Sequence, residues 1–186
     1  MKFIKSAAVA AAATIFSMGA ANALTYATAV DWNPGAGAGT PGRSDIANAL
    51  GATDGSFLSL GLGGTAIFEF GTDFTSPGAV VEVTFGNVGG YPESVAVFVG
   101  NSYNNYGDVL SWQSAGVLSN ADAQSGGAIA FSGNWKYLAL VDTTSGGPST
   151  DGFDVDSVGV SAVPLPAGGL LLLSGLGIAA LRRRRK

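Results

Sequence analysis

Three aspartates near the end of the chain, Asp151, Asp154 and Asp156, form its densest group of side chains capable of chemistry. On a β-strand Asp154 and Asp156 point to the same face about 7 Å apart, because successive side chains alternate between faces. Two carboxylates so close repel each other, and a bound cation relieves that repulsion. Calcium prefers such oxygen ligands, so the cluster suggests a calcium site. The same pattern also fits a solvated acidic edge strand, which resists aggregation.

A second candidate is the polar loop of residues 101–108, which is followed closely by Trp112. Aromatic faces stack on sugar rings, while amide groups bond their hydroxyls. We therefore expect a glycan to bind to Tyr103, Asn105, Tyr106 and Trp112. The alternative is a solvated hairpin loop with Trp112 packed in the core.

Catalysis finds little support in the composition. The 186 residues include no Cys and no His, which excludes a thiol nucleophile and removes the usual general base and zinc ligand. Glycosidases use two carboxylates across a cleft, whereas Asp154 and Asp156 are neighbours on one strand. Glu82 and Glu93 look like isolated strand residues. We predict that the protein is not an enzyme, with a carboxylate-based hydrolase as the remote alternative.

The charge distribution excludes nucleic acid as a partner. Between Leu24 and Ala162 the only basic residues are Arg43 and Lys136, against 13 acidic ones, so this segment carries a net charge of −11. Nucleic-acid binding requires clustered Lys and Arg, which this segment lacks.

The first 23 residues have the pattern of a signal peptide. Lys2 and Lys5 precede an apolar core over residues 6–18, and a small-x-small site ends at Ala23. This pattern predicts cleavage after Ala23 by signal peptidase and export through the inner membrane.

Residues 163–186 have the pattern of a sorting tail. An apolar run over 167–181 is close to the length that spans a membrane, and the basic residues 182–186 after it are expected to stay cytoplasmic. The short motif before the run consists of Val163, Pro164, Leu165, Pro166 and Ala167.

This order of motif, apolar helix and Arg cluster resembles the PEP-CTERM sorting signal in its VPLPA variant. The resemblance implies processing by an exosortase, a membrane-embedded cysteine peptidase of bacteria that typically make exopolysaccharide. Residues 165–169 also resemble the LPxTG signal of sortases, with Gly168 in place of Thr. The plain alternative is a single-span anchor that is never cut.

The middle of the chain, residues 24–162, reads as one all-β domain. Val95, Val97 and Val99 alternate with other residues, and Val81 and Val83 alternate with Glu82, as in half-buried antiparallel strands. We predict a short helical turn near 44–50 and a single antiparallel β-sandwich or jelly roll. The expected strands are 25–32, 57–62, 65–70, 79–85, 94–100, 109–113, 127–131, 136–142 and 154–161.

Residues 50–160 resemble a galactose-binding-like, discoidin-type jelly roll. The resemblance rests on ATDG at 52–55, LGLGG at 60–64, IFEFG at 67–71, PESVAVFV at 92–99, WKYLALVD at 135–142 and DGFDVDSV at 151–158. Relatives of this fold include carbohydrate-binding modules, and many hold a structural calcium beside the first Asp-Gly loop and the last strand. The resemblance therefore adds Asp54 to Asp151, Asp154 and Asp156 as calcium ligands.

Together these features predict an exported, exosortase-sorted module at the cell envelope or outside the cell. We expect it to be calcium-stabilised and to bind a glycan in an exopolysaccharide matrix, with transient membrane anchoring through residues 167–181. The first alternative is a purely structural surface or biofilm protein with no small-molecule ligand.

Overall fold

The computed structural model describes residues 23–39, 41–84, 88–124, 126–145 and 147–163. The predicted signal peptide, apart from Ala23, and the predicted sorting tail, apart from Val163, lie outside the described residues. The strands are β1 Leu24–Tyr26, β2 Ala29–Asn33, β3 Leu58–Ser59, β4 Thr65–Glu82, β5 Ser94–Gly100, β6 Gln113–Ser119, β7 Gly127–Ile129, β8 Trp135–Asp142 and β9 Asp154–Ala162. Two 3₁₀ helices cover Ile46–Ala49 and Tyr106–Ser111, and the short helix α1 covers Asn120–Ala123.

The long strand β4 belongs to both layers of the fold. Its first part, through Glu69, pairs with β2 and β8, and its later part, from Phe74, pairs with β9 and β7. A register shift between Glu69 and Phe74 separates the two parts, as expected where a strand bends from one sheet into another. One layer continues from β8 to β5 and β6, and the other from β9 to β1 and β3. All pairings are antiparallel, so the prediction of an all-β antiparallel sandwich is confirmed.

The core lies between the two layers. Val95, Val97 and Val99 of β5 are fully buried, as their alternation predicts. They share one apolar cluster with Phe68, Phe74, Leu138, Leu140, Phe153 and Val158. Burying each such side chain stabilises the fold by about 1.5–3 kcal/mol.

The structure departs from the predicted strands in one segment where polar residues interact with the backbone. The predicted strand at 109–113 is instead the 3₁₀ helix Tyr106–Ser111, because Asn105 and Asp108 form a capping box at its start. The helical turn predicted near 44–50 is present as the 3₁₀ helix Ile46–Ala49, and the side chain of Asp45 caps its start.

Near the end of β4, the side chain of Glu82 lies on the inner face of the sheet, and the neighbouring Val81 lies on the other face. Val80 and Glu82 are buried on β4, whereas Val81 between them is only half-buried. A charged residue therefore occupies the inner face at the end of this strand.

Because the strands are antiparallel, the loops and strand ends that contain the candidate functional side chains lie at two opposite ends of the sandwich. The first, which we call the groove end, contains the end of β5 at Gly100 and the starts of β6 at Gln113 and β8 at Trp135. The second, the acid end, contains the end of β4 at Glu82 together with the end of β8 and the start of β9. No helix within the described ranges is long and apolar enough to cross a membrane.

Candidate functional site

A groove of about 490 Å³ opens at the groove end of the sandwich. The loop between β5 and β6 forms one side, and the start of β8 contributes another. Its aromatic lining is Trp112 and Trp135, and its polar lining is Asn101, Ser102, Asn104, Asp108, Ser111 and Gln113. The groove thus combines flat aromatic surface with neutral hydrogen-bonding groups and one carboxylate.

The indole of Trp112 is held in place by close packing. It lies directly over Gly100, where an added Cβ would come 2.2 Å from the indole Cδ2. Its ring also contacts Tyr103, with 6.3 Å between centroids, and Tyr137, at 6.2 Å. Trp112 remains only half-buried, so a rigid aromatic surface is retained at the groove.

Trp135 reaches the groove from the start of β8. Its indole Nε1 donates a 2.7 Å hydrogen bond to the carbonyl of Ser132, and its ring packs partly against the core. The polar atom of this indole is therefore satisfied within the protein, and the ring is oriented by its own turn.

Two amides of the groove, those of Asn101 and Gln113, make long hydrogen bonds to other described residues. Asn101 Nδ2 donates to the carbonyl of Asn134 at 3.4 Å, and Gln113 Nε2 donates to Ser132 Oγ at 3.4 Å. Bonds of this length lie beyond the favoured range, so these amides retain capacity for stronger partners.

Asp108 is held firmly by its own loop. Its Oδ2 accepts from the backbone N–H groups of Asn104 at 2.8 Å and Asn105 at 3.3 Å, while Oδ1 accepts from the Asn105 side chain at 3.0 Å. These bonds, the Asn104 one foremost, lower the pKa of Asp108. The carboxylate therefore stays charged in the groove.

Of the four residues expected to bind a glycan, Trp112 lines the groove and the other three hold its loop in place. Tyr103 and Tyr106 both donate their hydroxyls to the carboxylate of Asp31 on β2. Asn105 Oδ1 accepts from the N–H of Gly107 at 2.9 Å, as part of the helix cap. Glycan binding by these four residues stays a prediction.

The two tyrosines are neutral anchors. Burial and the bond to Asp31 raise the pKa of each, Tyr103 and Tyr106, to about 12. Both hydroxyls therefore remain protonated and keep donating to Asp31 over the whole physiological range.

Sequence reasoning found the loop but missed its partners across the groove. Trp135 and Gln113 belong to β8 and β6, and only the antiparallel pairing through β5 brings their starts beside Gly100. Asn104 and Asp108 lie inside the predicted loop, but the composition of the loop favours the tyrosines, whose rings are the more obvious sugar platforms.

At the acid end, three carboxyl groups are buried together. Glu82, Glu93 and Asp154 are only 3%, 8% and 3% exposed. Hydroxyl groups bond each of them: Thr84 donates to Glu82, Ser149 to Glu93 at 2.7 Å, and Ser59 to Asp154. A cavity of about 170 Å³ adjoins this carboxyl cluster and is lined by Glu93, Asp154, Asp151, Arg43, Tyr91 and Thr84, among others.

The carboxyl cluster favours protonated acids. Burial, the largest cause, raises the pKa of Glu82, Glu93 and Asp154 to about 7 each. Neighbouring carboxylates raise them further, while the hydroxyl bonds lower them. Glu82 Oε1 has no donor among the described residues, and a proton on Glu82 or Glu93 would allow the two carboxyls to bond each other. Nothing in the sequence indicates this pairing, because the two glutamates lie 11 positions apart.

The only described cation at the acid end is already engaged. Arg43 forms an ion pair with Asp151, and its charge lowers the pKa of Asp154 slightly against the larger effect of burial. Its guanidinium carbon also lies 5.5 Å from the ring centroid of Phe57.

The four predicted calcium ligands have partners of another kind. Asp156 accepts from the backbone N–H groups of Asp54 at 3.1 Å and Gly55 at 3.0 Å, and Asp54 accepts from the N–H of Ser56 at 2.8 Å. Asp151 pairs with Arg43, and Asp154 accepts from Ser59. Within the described ranges no three acidic side chains converge on one metal position. The N–H groups that point at the Asp156 oxygens would have to move before calcium could bind there; calcium binding stays a prediction.

Comparison with known proteins gives matches in structure only. No protein-family model and no curated protein matches the chain. A Ruminococcus gnavus GH29 fucosidase in complex with fucose matches with a TM-score of 0.50 and 12% identity, over 73% of this chain and 25% of that one. The CBM32 domain of AlyQ in complex with 4,5-unsaturated mannuronic acid matches with a TM-score of 0.47 and 11% identity, over 74% of this chain and 97% of that one.

A mutant of the lectin binding domain of Lectinolysin complexed with Lewis b matches with a TM-score of 0.43 and 12% identity, over 73% of this chain and 92% of that one. The chain spans about a quarter of the fucosidase. At 12% identity the likeness to the fucosidase structure concerns the fold alone.

Proposed function

We propose that this protein is a non-catalytic glycan-binding module and that the groove is its binding site. The observation that supports the proposal is the pairing of Trp112 and Trp135 with neutral amides in one open groove. Sugar rings stack on aromatic faces, while amides donate to and accept from their hydroxyls. Fucose, a mannuronic acid derivative and Lewis b in the similar structures make carbohydrate the ligand class to test first.

The hydrolase alternative fits the acid end poorly. Glu82, Glu93 and Asp154 are almost fully buried and bonded to Ser and Thr hydroxyls, so none faces a substrate across an open cleft. A purely structural role without a ligand remains the main competitor, and glycan binding at the groove separates the two.

The test is binding to a polysaccharide panel, measured by affinity electrophoresis and calorimetry. Asn104→Ala and Gln113→Ala each remove an amide from the groove, and we expect about five-fold weaker binding or more, because a hydrogen bond contributes roughly 1 kcal/mol. The matched control is Gln124→Ala, an exposed glutamine at the end of α1 near the acid end. Equal binding by all variants, or no binding by the parent protein, would reject the proposal that the groove is the glycan-binding site.

Export and sorting are a separate part of the proposal and depend on the sequence alone. Signal peptidase would release Leu24 as the new N-terminus, and an exosortase would cut near Pro166, leaving the module at the envelope or outside the cell. Intact mass spectrometry of envelope and medium fractions tests this. A species still ending at Lys186 would reduce the tail to a membrane anchor.

Calcium also remains a proposal, and binding at Asp156 would require the N–H groups of Asp54 and Gly55 to turn away. A melting temperature that rises with Ca²⁺ and falls with chelator would support it. Identical melting curves would reject calcium and leave the hydrogen bonds to Asp156 and between Thr53 and Ser157 as links between the closing strand and this loop.

A further inference from the structure

The groove contains a single charged side chain among the described residues that line it, the carboxylate of Asp108. Three hydrogen bonds from Asn104 and Asn105 stabilise its ionised form and lower its pKa, so the charge persists at neutral and mildly acidic pH. Any ligand in the groove meets a permanent negative charge.

No basic side chain in the described part of the lining offsets this charge. Arg43 lies at the acid end, paired with Asp151. Lys136 follows Trp135 on β8, but it lines a different cavity together with Glu69 and Asp73. The net charge of −11 over residues 24–162 adds long-range repulsion of anions to the local effect.

The remaining polar groups suit hydroxyls. Asn101, Asn104 and Gln113 each offer a donor and an acceptor, and Ser102 and Ser111 add hydroxyl groups. A carboxylate or sulfate group needs donors in excess and preferably a guanidinium or ammonium partner. The described lining residues include no guanidinium or ammonium group.

We propose that the groove selects neutral glycans and that Asp108 is the residue that rejects carboxylated and sulfated ones. The proposal rests on glycan binding at the groove. Selectivity of this kind comes from an unfavourable contact with the wrong ligand as much as from a favourable one with the right ligand.

The experiment uses matched polysaccharide pairs. Each neutral polysaccharide of the panel is compared with a derivative in which primary hydroxyls are oxidised to carboxylates, so that backbone and linkage are the same. The full chain is assayed by affinity electrophoresis at low and at high ionic strength. We expect the oxidised member to bind roughly five-fold more weakly or worse at low ionic strength, and the gap to narrow with salt.

Two isosteric variants locate the effect. Asp108→Asn removes the charge but keeps a side-chain oxygen that can accept hydrogen bonds from the loop N–H groups. In this variant the affinity for the oxidised polysaccharide should come close to the affinity for the neutral one. Asp122→Asn is the control, because Asp122 forms an equivalent capping box with Ser119 at the start of α1 and the change in net charge is the same. The Asp122→Asn variant should prefer the neutral polysaccharide over the oxidised one as strongly as the parent protein does.

The outcomes separate the proposals. Oxidised members that bind as well as neutral ones would overturn the selectivity and leave the glycan-binding function standing. Equal recovery in Asp122→Asn and Asp108→Asn would assign the preference to net charge and overturn the role of Asp108. No binding to either member of any pair would overturn the glycan-binding function itself.

Discussion

The two ends of the sandwich use polar side chains in opposite ways. At the acid end, buried Glu82, Glu93 and Asp154 are bonded to hydroxyls of the protein itself, and Glu93 and Asp154 line a small cavity. At the groove end, half-buried tryptophans and weakly bonded amides face solvent. Polar groups bonded internally can stabilise or destabilise the fold, whereas polar groups left with spare capacity can bind a ligand. The comparison therefore assigns pH-dependent stability to the first end and recognition to the second.

The largest expected effect is the pH dependence of stability caused by the acid end. Glu82, Glu93 and Asp154 have pKa values near 7 in the folded protein, above the ordinary values that they regain on unfolding. The folded state thus binds more protons, so the stability from these groups is fully present below their ordinary pKa values and is lost as pH rises through about 7. Urea unfolding should show several kcal/mol less stability at about pH 8 than at about pH 5.

The variant Glu82→Gln should reduce this pH dependence, because an amide does not ionise and only Glu93 and Asp154 of the three then titrate. Glycan binding at the opposite end should be unaffected by the same change. A stability that rises or stays level between about pH 5 and pH 8 would contradict the account of the acid end.

A smaller effect is expected from crowding the groove platform. In Gly100→Ala the new Cβ would overlap the indole of Trp112, which must shift. Overpacking of this kind costs about 1–3 kcal/mol, and we expect polysaccharide binding to be lost with it. Gly39→Ala is the control, since an added Cβ at Gly39 meets nothing within 4 Å. Retained binding in Gly100→Ala would show that the position of Trp112 is unimportant.

The smallest effect concerns the anchor that holds the groove loop onto β2. Asp31→Asn removes the charge that accepts from Tyr103 and Tyr106, so their pKa should fall from about 12 toward the ordinary value. Spectrophotometric titration of the tyrosines measures this, and glycan affinity should weaken as the loop loosens. Unchanged tyrosine titration in the variant would remove Asp31 as the anchor.

The sequence predicted the architecture better than the site. Alternating Val95, Val97 and Val99 correctly indicated a buried strand face, because hydrophobic burial dominates strand orientation. The environment of Glu82 escaped prediction because Glu93 reaches it only through tertiary structure, although Thr84, which donates to Glu82, is only two residues away. The β-strand expected at 109–113 failed for a local reason, the capping box of Asn105 and Asp108.

The groove, too, could be predicted only in part from the sequence. The loop composition around residues 101–108 indicated a polar aromatic surface, and Trp112 lies in the groove. Which aromatic rings face outward could not be read from the loop, because Asp31, about 70 residues earlier, bonds Tyr103 and Tyr106. Trp135 joins the groove only through strand pairing.

The most direct test of the division between the two ends uses the three tryptophans as internal reporters. Trp112 and Trp135 line the groove, whereas Trp32 on β2 donates to the carbonyl of Leu60 nearer the acid end. NMR spectra of indole N–H groups should be recorded during titration with a neutral polysaccharide, with Trp→Phe variants for assignment. The account predicts that the Trp112 and Trp135 signals shift while the Trp32 signal stays in place. A shift of Trp32 alone, or no shift at all, would contradict it.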